Sequence, residues 1–290
     1  MQLSPSELIL NTDGSIYHLN LLPTDIATTI ITVGDPDRVS EVSQYFDEVT
    51  IKKGKREFIT HTGTLNGTPI SVISTGIGTD NIDIVLNELD ALVNIDFQTR
   101  SIKEKFTKLN IVRLGTSGAI QPNIPVDQFL LSAWAIGFDN LLHFYESGHV
   151  QLTQVSDAFV TQTAWSKDNA KPYVVECDIN LASLFKSDSI INGFTATNVG
   201  FYGPQGRTLR LTTSKKDLNE RLASFRFHDK QITNLEMETS GIYGLSKLLG
   251  HAAVSLNCIL ANRANGVFSD RPGEAMDQLI QFALAKLTTK

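Results

Sequence analysis

Apolar residues recur along this chain in two rhythms, short β-branched runs and longer stretches of helical period. Thr28 to Val33 is a run of the first kind that ends in Gly34-Asp35-Pro36-Asp37-Arg38, and Val39, Val42 and Phe46 then follow at helical spacing. Strand, turn and helix are predicted in that order. Glu57 to Leu65 and Thr68 to Ile73 flank Asn66-Gly67, a dipeptide suited to the positive φ angles of a two-residue hairpin. The second arm enters Ser74-Thr75-Gly76-Ile77-Gly78, after which Ile82, Val85, Leu86, Leu89, Leu92 and Val93 mark an amphipathic helix. Asn94 to Lys108 is polar and reads as a loop or surface helix, and strands are expected at Ile111 to Leu114 and Phe129 to Ala135. Ser147 to Asn192 has the weakest rhythm, with one helix predicted near Ile179 to Phe185.

Beyond it, Phe194 to Val199 reads as a strand ending in the glycine-rich loop Gly200 to Arg207. Glu238 opens a helix with Ile242, Leu245, Leu248 and Leu249 on one face, and Gly250 stands where a left-handed cap is needed. His251 to Leu260 is read as the last strand, and Pro272-Gly273 precedes a final helix through Met276, Leu279, Ile280, Ala283, Leu284 and Leu287. No repeat or linker divides the chain, so residues 1–290 are expected to form a single α/β domain with a mixed sheet.

Composition narrows the function. A chain of 290 residues can bury a large core without staples, and its two cysteines, Cys177 and Cys258, offer no disulfide framework or zinc pattern. The first ten residues lack a basic, then apolar, leader, and no run is long enough to span a bilayer. A cytoplasmic protein, neither exported nor membrane-bound, is expected. The net charge of -6 argues against nucleic acid as a partner, so a bound anion must meet local arginines.

Candidate chemistry begins at Arg113-Leu114-Gly115-Thr116-Ser117-Gly118, where a strand delivers an arginine and then a small, hydroxyl-bearing, glycine-bounded loop. Guanidinium forks onto phosphate through paired bonds, glycines admit backbone N–H groups, and the hydroxyls add donors. The alternative is an ordinary turn with Arg113 solvated. Gly34 to Arg38 could likewise meet an anion through Arg38 and the first turn of a helix, or serve only as a cap. Arg56, beside Glu57, is by default a surface ion pair. Gly76-x-Gly78 matches part of a dinucleotide fingerprint, but Asn81 replaces the third glycine, leaving a tight turn.

Leu235-Glu236-Met237-Glu238-Thr239 places two carboxylates where a strand enters a buried helix. A carboxylate can accept both ribose hydroxyls, whereas a helix-terminus role explains Glu238 more readily than Glu236. Phe201 to Arg207 supplies an aromatic face, the Gln205 amide and a guanidinium, a set able to read the edge of a planar heterocycle. Neither a histidine metal pattern nor Gly-x-Ser-x-Gly occurs.

Gly34 to Arg38, Arg56-Glu57-Phe58, Ser74 to Gly78, Arg113 to Pro122, Phe201-Tyr202 with Gln205 and Arg207, Glu236-Met237-Glu238 and Asn262-Arg263 together resemble the nucleoside phosphorylase family, most of all its bacterial uridine phosphorylases. The resemblance implies a central mixed β-sheet, barrel-like and distorted, flanked by helices. It also implies cleavage of a pyrimidine nucleoside by orthophosphate to ribose 1-phosphate and free base. Gly34, Arg38, Arg56, Arg113 and Thr116 would bind phosphate. His18, Met237 and Glu238 would bind ribose, and Gly118, Phe201, Gln205, Arg207, Glu236 and Arg263 the base. Catalysis would fall to Arg113, Gln205, Arg207 and Glu238, and Arg113→Ala is expected to cripple turnover while leaving the fold intact.

His18 and Arg56 would cross from a neighbouring subunit of a homo-oligomer, a hexamer or alternatively a dimer. Glu57, Ile77 and Asn81 match a monovalent-cation site, such as one for K+, although Asn81 replaces a serine. No organic cofactor is implied; orthophosphate is a co-substrate. Purine-cleaving relatives carry an aspartate where this chain has Asn262, which favours pyrimidine. A purine or broad-specificity phosphorylase, a hydrolytic nucleosidase and a non-catalytic nucleoside-binding protein are the alternatives.

Overall fold

The computed structural model describes residues 2–289. The first part of the chain forms β1 (Thr29–Val33), α1 (Asp37–Ser43), the strands β2 (Glu48–Lys55), β3 (Phe58–Leu65) and β4 (Thr68–Ser74), and α2 (Thr79–Asn94). A small hairpin of β5 (Ile95–Asp96) and β6 (Ser101–Ile102) leads to the long strands β7 (Asn110–Ala119) and β8 (Phe129–Gly137). Next come α3 (Thr153–Gln162), β9 (Tyr173–Glu176), α4 (Ile179–Ser183), β10 (Ile190–Thr197) and α5 (Leu218–Ser224). The last elements are β11 (Ile232–Glu236), α6 (Thr239–Leu249), β12 (Ala252–Asn262), β13 (Val267–Phe268) and α7 (Pro272–Thr288).

One sheet of 11 strands takes every strand except β5 and β6, in the order β13-β12-β8-β10-β11-β7-β1-β4-β3-β2 with β9 alongside β8. A further pairing of β12 with β7 closes β7, β12, β8, β10 and β11 into a barrel, which is the expected mixed, barrel-like sheet. β12 runs parallel to β7 from Ala252 opposite Asn110 to Asn262 opposite Ala119. On its other edge β7 pairs with β1 over Asn110–Arg113 and with β11 at Gly118 and Ala119. β1 and β11 diverge there, so Leu114 to Ser117 have no strand beside them on that edge.

Helices cover the sheet through the predicted apolar stripes. Ile82, Val85, Leu86, Leu89 and Leu92 of α2 pack with Ile242 and Leu245 of α6 in one core cluster. Val39 and Val42 of α1 and Leu279, Ile280 and Ala283 of α7 pack on Ile31, Val72 and Val254 in another. Each fully buried aliphatic side chain contributes about 1.5–3 kcal/mol, and truncating one such as Leu89 to alanine costs about 2–5 kcal/mol. Asn66 (φ 50°) and Gly67 (φ 72°) make the hairpin turn, and Gly250 (φ 80°) caps α6.

Several expectations need correction. Gly115 to Gly118 is not a loop but the end of β7, held by β12 on one side. Asn94 to Lys108 holds the β5–β6 hairpin rather than a helix, and β13 follows the strand expected to be last. Phe46 lies past the end of α1, and the weakly rhythmic middle contains α3 and β9. β2 was not foreseen because it is an edge strand whose positions alternate between exposed and half-buried, with Lys52, Lys53 and Lys55 along it. Among the described residues, no helix is long and apolar enough to cross a membrane.

Candidate active site

The unpaired edge of β7 opens into a cavity of about 720 Å³. β7 contributes Arg113, Thr116 and Gly118, the β1–α1 turn Gly34, the start of α1 Arg38, and the segment from β11 to α6 Glu236, Met237 and Glu238. The loop after β10 adds Phe201, Gln205 and Arg207, and Glu57, Ile77 and Asn81 stand on the lining as well. Eleven of the expected substrate residues thus share one wall system although they are spread from residue 34 to 238 of the sequence. His18, Arg56 and Arg263 are not on it.

Arg113 is the electrostatic centre. It is buried, and its guanidinium bonds Glu238 Oε2 at 2.6 Å, Asn257 Oδ1 at 3.0 Å and Ser255 Oγ at 3.4 Å, with Glu236 Oε2 at 3.2 Å. Burial by itself would lower its pKa, but the charges of Glu236 and Glu238 outweigh burial and raise it. Gly115 has a different use from the expected approach of backbone to anion. A Cβ there would lie 2.0 Å from Arg113 Nη1, so the glycine makes room for the guanidinium to fold back along its own strand.

The two carboxylates exchange the expected parts. Glu236 is the one that caps α6, accepting Glu238 N–H and Thr239 N–H at 2.9 Å each and the Thr239 hydroxyl at 2.8 Å, while its other oxygen accepts the Thr197 hydroxyl at 2.6 Å. Glu236 thus holds the start of α6 in place, and it stands on the cavity lining as well. Glu238 accepts only Gly78 N–H at 2.9 Å and Arg113, which leaves lone pairs for a ligand. Burial and the charge of Glu236 raise its pKa against the pull of Arg113.

At one end of the cavity, Arg38 Nε is buried without a hydrogen-bond partner, Glu41 lying 3.9 Å away. Burial lowers the Arg38 pKa, and the charge of Arg113 adds to that. Two guanidinium groups that repel each other across a lining invite an anion. The first turn of α1 contributes less than expected, because Asp35 Oδ1 already takes Asp37 N–H at 3.0 Å.

At the other end, Arg207 Nη1 donates to Gln205 Oε1 at 2.6 Å and Phe201 O at 2.7 Å, and its guanidinium stacks 3.8 Å from the Phe201 ring centre. Gln205 is buried, and with Oε1 engaged its amide nitrogen is left to donate. Burial and the neighbouring charge of Arg263 push the Arg207 pKa down to about 10, so negative charge arriving here relieves it. Arg263 supports this end from behind, donating to the Gln205 carbonyl at 3.1 Å. Asn262 is turned away from chemistry; its amide holds the carbonyls of Gln121 and Ile124 at 3.0 and 2.7 Å.

His18 is fixed outside the cavity, Glu88 accepting from its backbone N–H at 3.0 Å and contacting its ring Nδ1 at 2.6 Å. Arg56 occupies the tight β2–β3 turn at φ 56°, and its side chain makes no hydrogen bond or ion pair among the described residues. Around the cation candidate, Asn81 directs its amide nitrogen at Glu57 Oε1, 3.3 Å away, and Ile77 is an exposed turn residue. No group of three or more acidic, histidine or cysteine side chains gathers among the described residues. One carboxylate already receiving a donor is too sparse a set for a cation on this chain alone. Both thiols are free, and burial pushes Cys177 up to about 11 and Cys258 up to about 12, which disfavours nucleophilic thiolate chemistry. Leu260, Ala261 and Phe268 also line the cavity; as apolar residues in or just past a strand they carried no sequence signal for a site.

A barrel with an arginine-rich pocket at the end of a central strand defines a class, and the family model for the phosphorylase superfamily matches residues 28–288: the chain belongs to that superfamily. A uridine phosphorylase of Thermococcus kodakarensis is 29% identical over 281 residues, covering 95% of this chain and 87% of the relative. One from Haemophilus influenzae is 28% identical over 267 residues, covering 90% and 91%. The crystal structure of a Trypanosoma brucei nucleoside phosphorylase, described as showing uridine phosphorylase activity, superposes with a TM-score of 0.88 at 30% identity, covering 98% of this chain and all of that one.

Proposed function

We propose that this chain catalyses the phosphorolysis of uridine, taking the nucleoside and orthophosphate to uracil and ribose 1-phosphate. The observation that carries the reading is the pairing of opposite ends in one cavity: an unsatisfied Arg38 beside Arg113 at one, and a Gln205–Arg207 pair at the other. Superfamily membership and the named activities of its relatives support it.

In this reading Arg38, Arg113, Thr116 and the Gly34 backbone hold phosphate, while Glu238 accepts ribose hydroxyls and Met237 packs against the sugar. Cleavage builds positive charge on the ribose and negative charge on the leaving base. Phosphate and Glu238 offset the first, and Arg207 with the Gln205 amide stabilises the second. Such preorganised donors each contribute on the order of a hundredfold in rate. The chemistry needs no organic cofactor, and no step runs through a cation. Two free thiols accord with a reducing compartment such as the cytoplasm.

Oligomerisation belongs to the same proposal. Lys55 Nζ donates to the Tyr17 carbonyl at 2.6 Å and lies 4.2 Å from the Tyr17 ring centre, so Tyr17-His18 and Lys55-Arg56 come together on one patch. That shared patch supports a reading in which His18 and Arg56 complete a neighbouring copy's site, in a dimer or in a hexamer built from dimers. The direct test is uracil release from uridine with and without phosphate. Release that requires phosphate and yields ribose 1-phosphate is expected; equal rates in both, or none, refute the proposal.

A further inference from the structure

The barrel lumen is polar where an apolar filling would be the simpler choice. Ser132, Thr195, Asn234 and Asn257, from β8, β10, β11 and β12, are all fully buried, and with Arg113 and Ser117 of β7 they form a chain of hydrogen bonds around the barrel. Its sense is dictated by Arg113, which has donors and no acceptor. Asn257 must therefore turn Oδ1 to Arg113, and its Nδ2 donates to Ser132 Oγ at 3.1 Å. Thr195, 2.5 Å away, is the only other partner of Ser132 Oγ among the described residues, so the Ser132 hydroxyl donates to it, and Thr195 donates to Asn234 Oδ1 at 2.9 Å. That turns Asn234 Nδ2 onto Ser117 Oγ at 2.9 Å.

Ser117 thus ends the chain as an acceptor, and its own proton has no protein acceptor among the described residues. The residue lies on the cavity lining, beyond the folded-back guanidinium of Arg113 and just before Gly118. We propose that Ser117 is a further substrate-binding residue, its hydroxyl proton held toward the bound nucleoside by this one-sense chain, with Asn234 and Asn257 as positioning residues. The inference rests on the nucleoside reading above. It assigns the donor to the nucleoside rather than to phosphate, because Ser117 directly precedes Gly118 on β7 and is tied to Asn234 of β11, the strand that leads into Met237 and Glu238.

The test measures kcat and KM for uridine and for phosphate separately, together with the thermal midpoint. Ser117→Ala is expected to lose about tenfold in kcat/KM for uridine, the scale of one neutral hydrogen bond, with the phosphate KM close to wild type and the midpoint lowered by the Asn234 N–H left unpaired. Ser117→Thr, which keeps the hydroxyl, recovers most of the loss. Asn234→Asp has no N–H to offer, so it draws the Ser117 proton inward. It should reproduce the Ser117→Ala loss and add nothing to it in the double variant. Unchanged uridine kinetics in Ser117→Ala, or losses that multiply in the double variant, overturn the inference. Should Ser117→Ala not fold, Ser117→Cys decides by the same readout. A wild-type protein that cleaves no uridine instead refutes the function proposed above, and is recognised before any variant is made.

Discussion

Arg113 shows how a single side chain can be both chemistry and scaffold. Its removal leaves Glu236 and Glu238 buried around an empty space, and breaking such a cluster costs about 3–5 kcal/mol. The expectation that Arg113→Ala spares the fold is therefore replaced by a joint loss of activity and stability. The pH dependence has a definite sign. The Glu238 pKa is already raised in the folded state, and without Arg113 only the Gly78 N–H opposes burial and Glu236, so it rises further. An acid raised by folding favours the protonated form, so its penalty grows as pH climbs from the ordinary carboxylate range to the raised value. The stability deficit of Arg113→Ala relative to wild type should accordingly shrink on acidification toward about pH 5, as measured by denaturant titration. A deficit that widens on acidification contradicts this electrostatic account. The sequence displayed Arg113 because an arginine inside an apolar strand is conspicuous. Its partners Asn257 and Ser255 were hidden, since small polar residues in β12 gave no sign that they face a guanidinium across the barrel.

Among the elements, β7 explains why its small residues were misread. Gly115, Thr116, Ser117 and Gly118 have the composition of a loop, and composition was overridden by pairing with β12 along the whole strand. The glycine at 115 answers to a side chain two residues earlier in the same strand, a relation invisible to turn statistics. Gly115→Ala should displace the guanidinium from Glu238 and Asn257 and reduce kcat/KM by about a hundredfold, the usual consequence of a misplaced catalytic group. Near-wild-type turnover in that variant, with a normal circular dichroism spectrum, would show that the fold-back of Arg113 is unimportant. Helices α2, α6 and α7 were legible because long apolar periodicity leaves few alternatives. Segments such as β2, α5 and β9 were not, being short or half-exposed, so that tertiary pairing decided them.

At the scale of the whole molecule, the same sheet that gathers most of the expected site residues leaves His18 and Arg56 off the cavity lining. Arg113 lies on β7 and Arg38 at the start of the helix that follows its neighbour β1, whereas Arg56 sits in the turn between β2 and β3 at the sheet's edge, off the cavity lining. A cation on a tight edge turn, clustered with a histidine that Glu88 holds in one orientation, is well placed to reach outward. A site shared between copies predicts complementation. Arg56→Ala damages what a subunit lends, and Glu238→Ala damages what it keeps, so in either homo-oligomer every composite site has one defective half. In a co-expressed hybrid isolated through two different tags, some sites combine the intact Glu238 of one copy with the intact Arg56 of the other. Those sites should raise uridine phosphorolysis at least about tenfold above either parent, since closed symmetric pairs exchange the same patches reciprocally. Hybrids no more active than the better parent, at a concentration where sedimentation shows them assembled, would mean that each chain builds its site alone and that the edge-turn arginine serves only its own surface.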